Sequence, residues 1–334
     1  MPAPGHLRRN PQDLDRQGAE IRLAQARRRR RRLAVKPARP SPWPAHCRAA
    51  LAEAIGLAAR QFPRPGEDEA TRVHDLRKTL KGAAGLARLF TELVGPPAYA
   101  ALTTIDGARK AVGLARDLDV APKVLVKLDA PAAIQAALLA AIAGERESAR
   151  RAHGAIDAAG FAAELAALAQ EVAAWDVDQA GAGPLLAAAR NAYRAAKKRG
   201  EAAFASREAD ALHAFRGKVV DLAFQLSAFE PAWPAMTRAW AGELHRLRGA
   251  LGDHNDLTVL AEFARSRPEL PPAEAEAILK LVAKKQRPLE RRAARLYARL
   301  FAEKPADFER RLAAYLDHPR LKPRVKLVRA PAPP

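Results

Sequence analysis

Displaced by 139 residues, the chain lines up with itself. Glu69 falls on Glu208, Ala70 on Ala209, His74 on His213 and Arg77 on Arg216. Further along, Phe90 meets Phe229, Arg109 meets Arg248, Gly113 meets Gly252, and Asp117-Leu118 and Val120 meet Asp256-Leu257 and Val259. The register holds without a gap for about fifty residues, which is the mark of an internal repeat. Matching alanines mean little in so Ala-rich a chain, but His, Phe, Gly and Asp matching in one register mark a duplication. Any fold for this sequence must therefore build one unit twice.

That unit is helical. Hydrophobic residues make up 49% of the chain but aromatics only 5%, and the dominant types, Ala, Leu, Arg and Glu, all favour helix. Runs of β-branched residues bounded by turns, the signature of strands, are nearly absent. The fold class is all-α. Helices are expected near 45–61, 68–92, 97–120, 131–158, 161–175, 184–203, 206–229, 235–265, 272–303 and 306–317, most of them bounded by proline or glycine. The halves, about 43–180 and 184–320, are each expected to form a bundle of about four helices, the two bundles related by a pseudo-two-fold axis. Matching positions would then face a shared surface.

The ends stand apart. Residues 1–42 carry a helical pattern from Asp13 to about Val35 that ends in six consecutive arginines, Arg27–Arg32. Like charges at every helical spacing repel, so this tail is expected to stay disordered until it meets an anion. Pro37, Pro40, Pro42 and Pro44 separate it from the helical region, and 321–334 form a second Pro-rich, basic tail.

Lys and Arg outnumber Asp and Glu by 57 to 37, a formal net charge of +20. A chain this basic is drawn to nucleic acid, anionic membranes or free polyanions, although an Arg-rich solvated surface would give the same count. The single cysteine, Cys47, excludes an intramolecular disulfide framework and suits a reducing cytoplasm. No secretory signal pattern is evident, and the longest apolar stretch, Ala130–Ala143, is too short to span a bilayer. A soluble, cytoplasmic protein is expected.

In the first copy His74, Arg77, Lys78 and Lys81 share one helix face, with Arg88 two turns on, while Val73, Leu76, Leu80, Leu86, Leu89 and Phe90 supply the opposite, apolar face. Guanidinium groups bind phosphate oxygens bidentately, lysine adds a less directional charge, and histidine can donate to the same oxygens. A solvated basic face would look alike, but the recurrence of His-x-x-Arg as His213 and Arg216, with Lys218 nearby, favours a shared anion site. The second motif reads GLARDLDV (113–120) and LGDHNDLTVL (251–260). Arg116 and Asn255 can donate to an anion; Asp117 and Asp256 are expected to orient a basic neighbour or serve as structural ion-pair partners. Arg109 and Arg248 extend the basic track. Asp119 could complete an Asp-x-Asp metal site with Asp117, but Thr258 replaces it in the second copy, so no metal and no cofactor are expected.

VHDLRKTLKGAAGLARLF with GLARDLDV, repeated as LHAFRGKVVDLAFQLSAF with LGDHNDLTVL, resembles the CHAD domain, the conserved histidine α-helical domain. The resemblance spans about residues 43–320. It implies two four-helix bundles facing each other across a basic central channel that binds inorganic polyphosphate, and residence at polyphosphate granules. The family's motif His and Arg correspond to His74 and Arg77, then to His213 and Arg216; its RD or ND signature corresponds to Arg116-Asp117 and Asn255-Asp256. The chain departs from the pattern at Gly82, and at Val220 and Asp221, where further basic residues often stand.

Polyphosphate needs no base-reading code, and the shortage of aromatics argues against a stacking platform for single strands. Arg27–Arg32 alone would suit DNA, RNA, a membrane or a granule surface equally well, so sequence-blind nucleic-acid binding stands as the alternative. An enzyme that transfers or cleaves phosphate is the second alternative. The resemblance implies one place to look, because CHAD domains are sometimes joined to a triphosphate-cleaving domain with an E-x-E-x-K strand. Here EAEAILK (274–280) has Ile278 where the lysine is required. The expectation is a binding protein, not an enzyme.

Overall fold

The computed structural model describes residues 41–61, 69–112, 116–153, 158–267 and 270–317, with the backbone course alone given at 69–72, 116–120, 146–153 and 158. Both tails, including Arg27–Arg32, lie outside the described residues. Every regular element among the described residues is a helix. In chain order these are α1 (Pro42–Gln61), α2 (Glu69–Ala87), α3 (Pro96–Ala111), α4 (Arg116–Val126), α5 (Ala132–His153), α6 (Ala158–Ala173), α7 (Gly183–Ser206), α8 (Ala209–Ser227), α9 (Pro234–Arg265), α10 (Pro272–Leu300) and α11 (Pro305–Asp317), with short 3₁₀ turns at Arg88–Phe90 and Glu230–Ala232.

Proline sits at the first helical position of α1, α3, α9, α10 and α11, where its fixed φ suits the helix and its missing N–H removes no bond. That is why the sequence located these starts. Two prolines behave otherwise: Pro122 lies inside α4 and Pro288 inside α10. An interior proline forfeits a backbone bond; in α4 the flanking Ala121 and Leu125 are buried and hold the helix against its neighbours. The single helix expected over 97–120 is two: α3 stops at Ala111 and α4 starts at Arg116, whereas the equivalent stretch of the second copy runs unbroken through α9.

The first copy closes a ring in which α1 packs on α2 and α6, and α3 packs on the same two helices. Leu51, Ile55, Leu80, Ile105, Leu165 and Val172 fill it and are fully buried. In the second copy α8 packs on α7 and α9, and α11 packs on α7. Its centre is aromatic: Tyr193 stacks on Phe308 with centroids 4.4 Å apart, and its hydroxyl donates to the Leu300 carbonyl at 3.2 Å. Burying that phenol is tolerable because its polar end is satisfied. The helices α4 and α5 leave the first ring and build a second core with α9 and α10, through Leu125, Leu138, Ile142, Leu260 and Ile278.

The halves meet where α2 packs against α8. A Cβ at Gly82 would lie 3.1 Å from Phe224 Cε1, and one at Gly85 only 2.7 Å from Phe224 Cβ. Glycine at these two positions lets the backbones close on each other with Phe224 seated between. The departure from a basic residue at Gly82 therefore has a packing cause.

Candidate anion-binding cleft

Because α2 and α8 are pressed together, their motif residues open onto one cleft of about 450 Å³, floored by α3, α4 and α9. Arg77 and Lys81 enter from α2, His213, Arg216 and Lys218 from α8, Arg109 from α3, and Asn255 and Asp256 from α9. Eight of the residues singled out in the sequence thus converge from both copies.

Each is held by its own local means. Arg77 donates through Nη1 to the carbonyl of Val112 at 3.4 Å, at the C-terminal end of α3, where helix carbonyls lack partners and a positive charge is favoured. Arg216 cannot do the same, because α9 continues through the equivalent position. It lies instead over Gly252, where a Cβ would stand 3.3 Å from its Nε. The glycine shared by the two copies is explained here by the guanidinium passing over it. His213 Nδ1 pairs with the side-chain amide of Asn255, 2.5 Å away. Asn255, expected to donate to an anion, meets this histidine while lining the cleft.

Three predicted residues lie off the cleft wall. His74 is exposed, one turn before Arg77. Lys78 and Arg248 come together around His245: Arg248 Nη2 is 2.5 Å from His245 Nε2, and burial first, then Arg248 and Lys78, push the His245 pKa down. Arg248 is itself held below its ordinary value, by burial and then by Arg216. The side chains of Arg116 and Asp117 lie outside the described residues.

At the other end the cleft contains carboxylates that the sequence reading left out of the site. Arg88 Nη1 lies 3.2 Å from Asp221 Oδ1 and its Nη2 3.7 Å from Asp106 Oδ2. Arg109 Nε reaches Asp106 Oδ1 at 3.0 Å, and Lys218 Nζ reaches Asp221 Oδ2 at 3.8 Å. Burial raises the Asp221 pKa; Arg88 and Lys218 oppose the rise, and Asp106 adds to it. One signal for this end was present in the sequence: Asp106 and His245 occupy the same repeat position, each three residues before an arginine.

Fold and cleft together define an all-helical protein whose two sequence copies contribute cationic side chains to one cavity. Residues 49–265 match the CHAD domain family, and the chain belongs to that family. Among solved structures it is similar to the crystal structure of the CHAD domain from the plant Ricinus communis, at 20% identity and a TM-score of 0.50, with 86% of this chain and 95% of that one covered; at this identity the likeness concerns the fold. No curated protein matches the chain in sequence. No helix among the described residues is long and apolar enough to cross a membrane.

Proposed function

We propose that the protein binds inorganic polyphosphate, without catalysis, in the cleft between its two copies. The observation that carries this reading is the meeting of Arg77 and Lys81 from one copy with His213, Arg216 and Lys218 from the other around about 450 Å³ of space. A linear polyanion with a charge on every unit suits such a site, since each cation can release a condensed counterion and no group needs to read a base. Membership of the CHAD family supports the same ligand class. Residence in the cytoplasm at polyphosphate granules follows from this reading.

The test is a calorimetric titration of the full chain with defined-length polyphosphate and with duplex DNA at one fixed salt concentration. The same titrations are run on the Arg77→Ala/Arg216→Ala variant, after circular dichroism has confirmed its helicity. Polyphosphate is expected to bind more tightly than DNA and to lose on the order of a hundredfold in the variant, two charge-assisted contacts at about 1.4 kcal/mol each. Equal affinity for DNA, or indifference to the double substitution, would move the binding to the basic surface and to Arg27–Arg32.

A further inference from the structure

Arg88, Lys218 and Asp221 line two cavities at once. On one side is the cleft of about 450 Å³; on the other is a second cavity of about 310 Å³ bounded by α3, α7 and α8, with Thr91, Asn191, Ala195 and Gln225 on its wall. The Asp221 carboxylate, reaching Arg88 at 3.2 Å and Lys218 at 3.8 Å, stands in the partition between them. It is the negative charge in a place where a cationic residue was expected, and it occupies the same two cations that a phosphate group entering this end of the cleft would need.

Gln225 adds a second, independent observation. It is 2% exposed, and its Oε1 has no hydrogen-bond partner among the described residues. The unpartnered group is the amide oxygen, an acceptor, so a donor is what this part of the wall lacks.

From this wall we infer that Asp221 is an internal anion plug: a long polyphosphate chain displaces it from Arg88 and Lys218 and continues into the second cavity. The inference rests on the polyphosphate reading above and adds a subsite to it. Displacement is feasible because Asp221 is neither cheaply buried nor strongly held. Its ionised form is disfavoured by burial, and Arg88 keeps Asp106 at 3.7 Å when Asp221 leaves.

The consequence runs against the usual effect of removing a polar residue from a site. Asp221→Asn should bind long-chain polyphosphate more tightly, on the order of tenfold, because the carboxylate no longer has to be displaced. Tripolyphosphate, short enough for the first cleft alone, should gain less. Filling the second cavity with Ala195→Leu, a residue away from the first cleft, should cancel the excess gain of the long chain in the Asp221→Asn background and weaken long-chain binding by the wild type. Affinity for long chains that is unchanged or weaker in Asp221→Asn overturns the plug. An equal gain for tripolyphosphate, or an Ala195→Leu variant that binds long chains as before, overturns the second subsite. If Asp221→Asn does not fold, the Ala195→Leu comparison on the wild-type background decides the matter. Absence of polyphosphate binding by the wild type would instead remove the underlying reading, so the two failures are distinguishable.

Discussion

Arg88, just past the end of α2, and Asp221, in the middle of α8, join the two copies of the repeat through a 3.2 Å ion pair. They are 133 residues apart in the chain, and neither is matched by its counterpart in the other copy: Ser227 stands at the repeat position of Arg88, and Gly82 at that of Asp221. The repeat supplies the two helices, and residues that the two copies do not share tie them together. Removing one member of a largely buried pair leaves the other ionised without its partner. Arg88→Ala is therefore expected to lower stability by about 1–2 kcal/mol, less than for a fully buried pair because water still reaches both side chains. Arg88→Ala/Asp221→Asn should lose less than Arg88→Ala alone. Urea unfolding of the four members of this cycle measures the coupling directly.

Gly252 separates packing from binding. An added methyl group at this position meets the Arg216 guanidinium at 3.3 Å and nothing of the backbone of α8. Alanine in a helix interior is favoured over glycine by about 0.5–1 kcal/mol. Gly252→Ala should therefore keep or raise the melting temperature while lowering polyphosphate affinity, on the order of threefold to tenfold, as Arg216 is pushed aside. A parallel loss of stability and affinity would mean that Gly252 serves packing alone.

Much of this was legible in the sequence, and for identifiable reasons. Prolines at helix starts and the 139-residue register located nearly every helix and paired Arg77 with Arg216. What escaped were relationships with no local signature. The role of Asp221 depends on Arg88, which arrives from 133 residues away, and a single sequence gives no trace of that meeting. The packing of α4 and α5 on α9 and α10 was hidden similarly, because Leu125 and Ile142 look the same whichever copy covers them. The end of α3 at Ala111 was missed because Ala, Val, Leu and Arg on either side of Gly113 outweigh that one helix-stopping residue in a reading by composition.

Gly85 tests the crossing that makes the cleft. A Cβ there would lie 2.7 Å from Phe224 Cβ and 3.5 Å from the Asp221 carbonyl oxygen, so α2 and α8 must separate to admit it. Gly85→Ala should cost about 1–3 kcal/mol as an overpacking change, despite the better helix propensity of alanine. Its cleft should also bind polyphosphate less well. Adding Phe224→Ala to Gly85→Ala relieves the clash, so the double variant should be more stable than the sum of the single changes predicts. Thermal unfolding of the three variants gives the coupling.

Cys47 reports on the first bundle without disturbing the cleft. It is fully buried in α1, and burial pushes its thiol pKa up to about 12, so the thiolate that reacts with disulfide reagents is scarce even where solvent enters. In the native protein Ellman's reagent is expected to label no thiol on the minute timescale at neutral pH, and one per chain in denaturant. The native labelling rate then follows opening of the α1, α2, α3 and α6 ring. Saturating polyphosphate should slow it if that opening is global, because a ligand bound to the folded state alone lowers the unfolded population.

The pH dependence of stability isolates Asp221. Its folded pKa is raised above the ordinary 3.8, chiefly by burial, so between those two values the folded protein holds more protons than the unfolded chain. With more protons bound in the native state, stability falls as pH rises through that window and then levels off. Asp221→Asn has no proton to lose there. The stability difference, variant minus wild type, should therefore be smallest below the ordinary carboxylate range, grow as pH rises through the window, and stay constant above it. Chemical denaturation at a series of pH values and constant ionic strength measures that difference, with the other carboxylates common to both proteins largely cancelling. A difference that shrinks with rising pH would mean that the ionised carboxylate is net stabilised by Arg88 and Lys218, and that the partition between the two cavities is a firm strut, not a displaceable one.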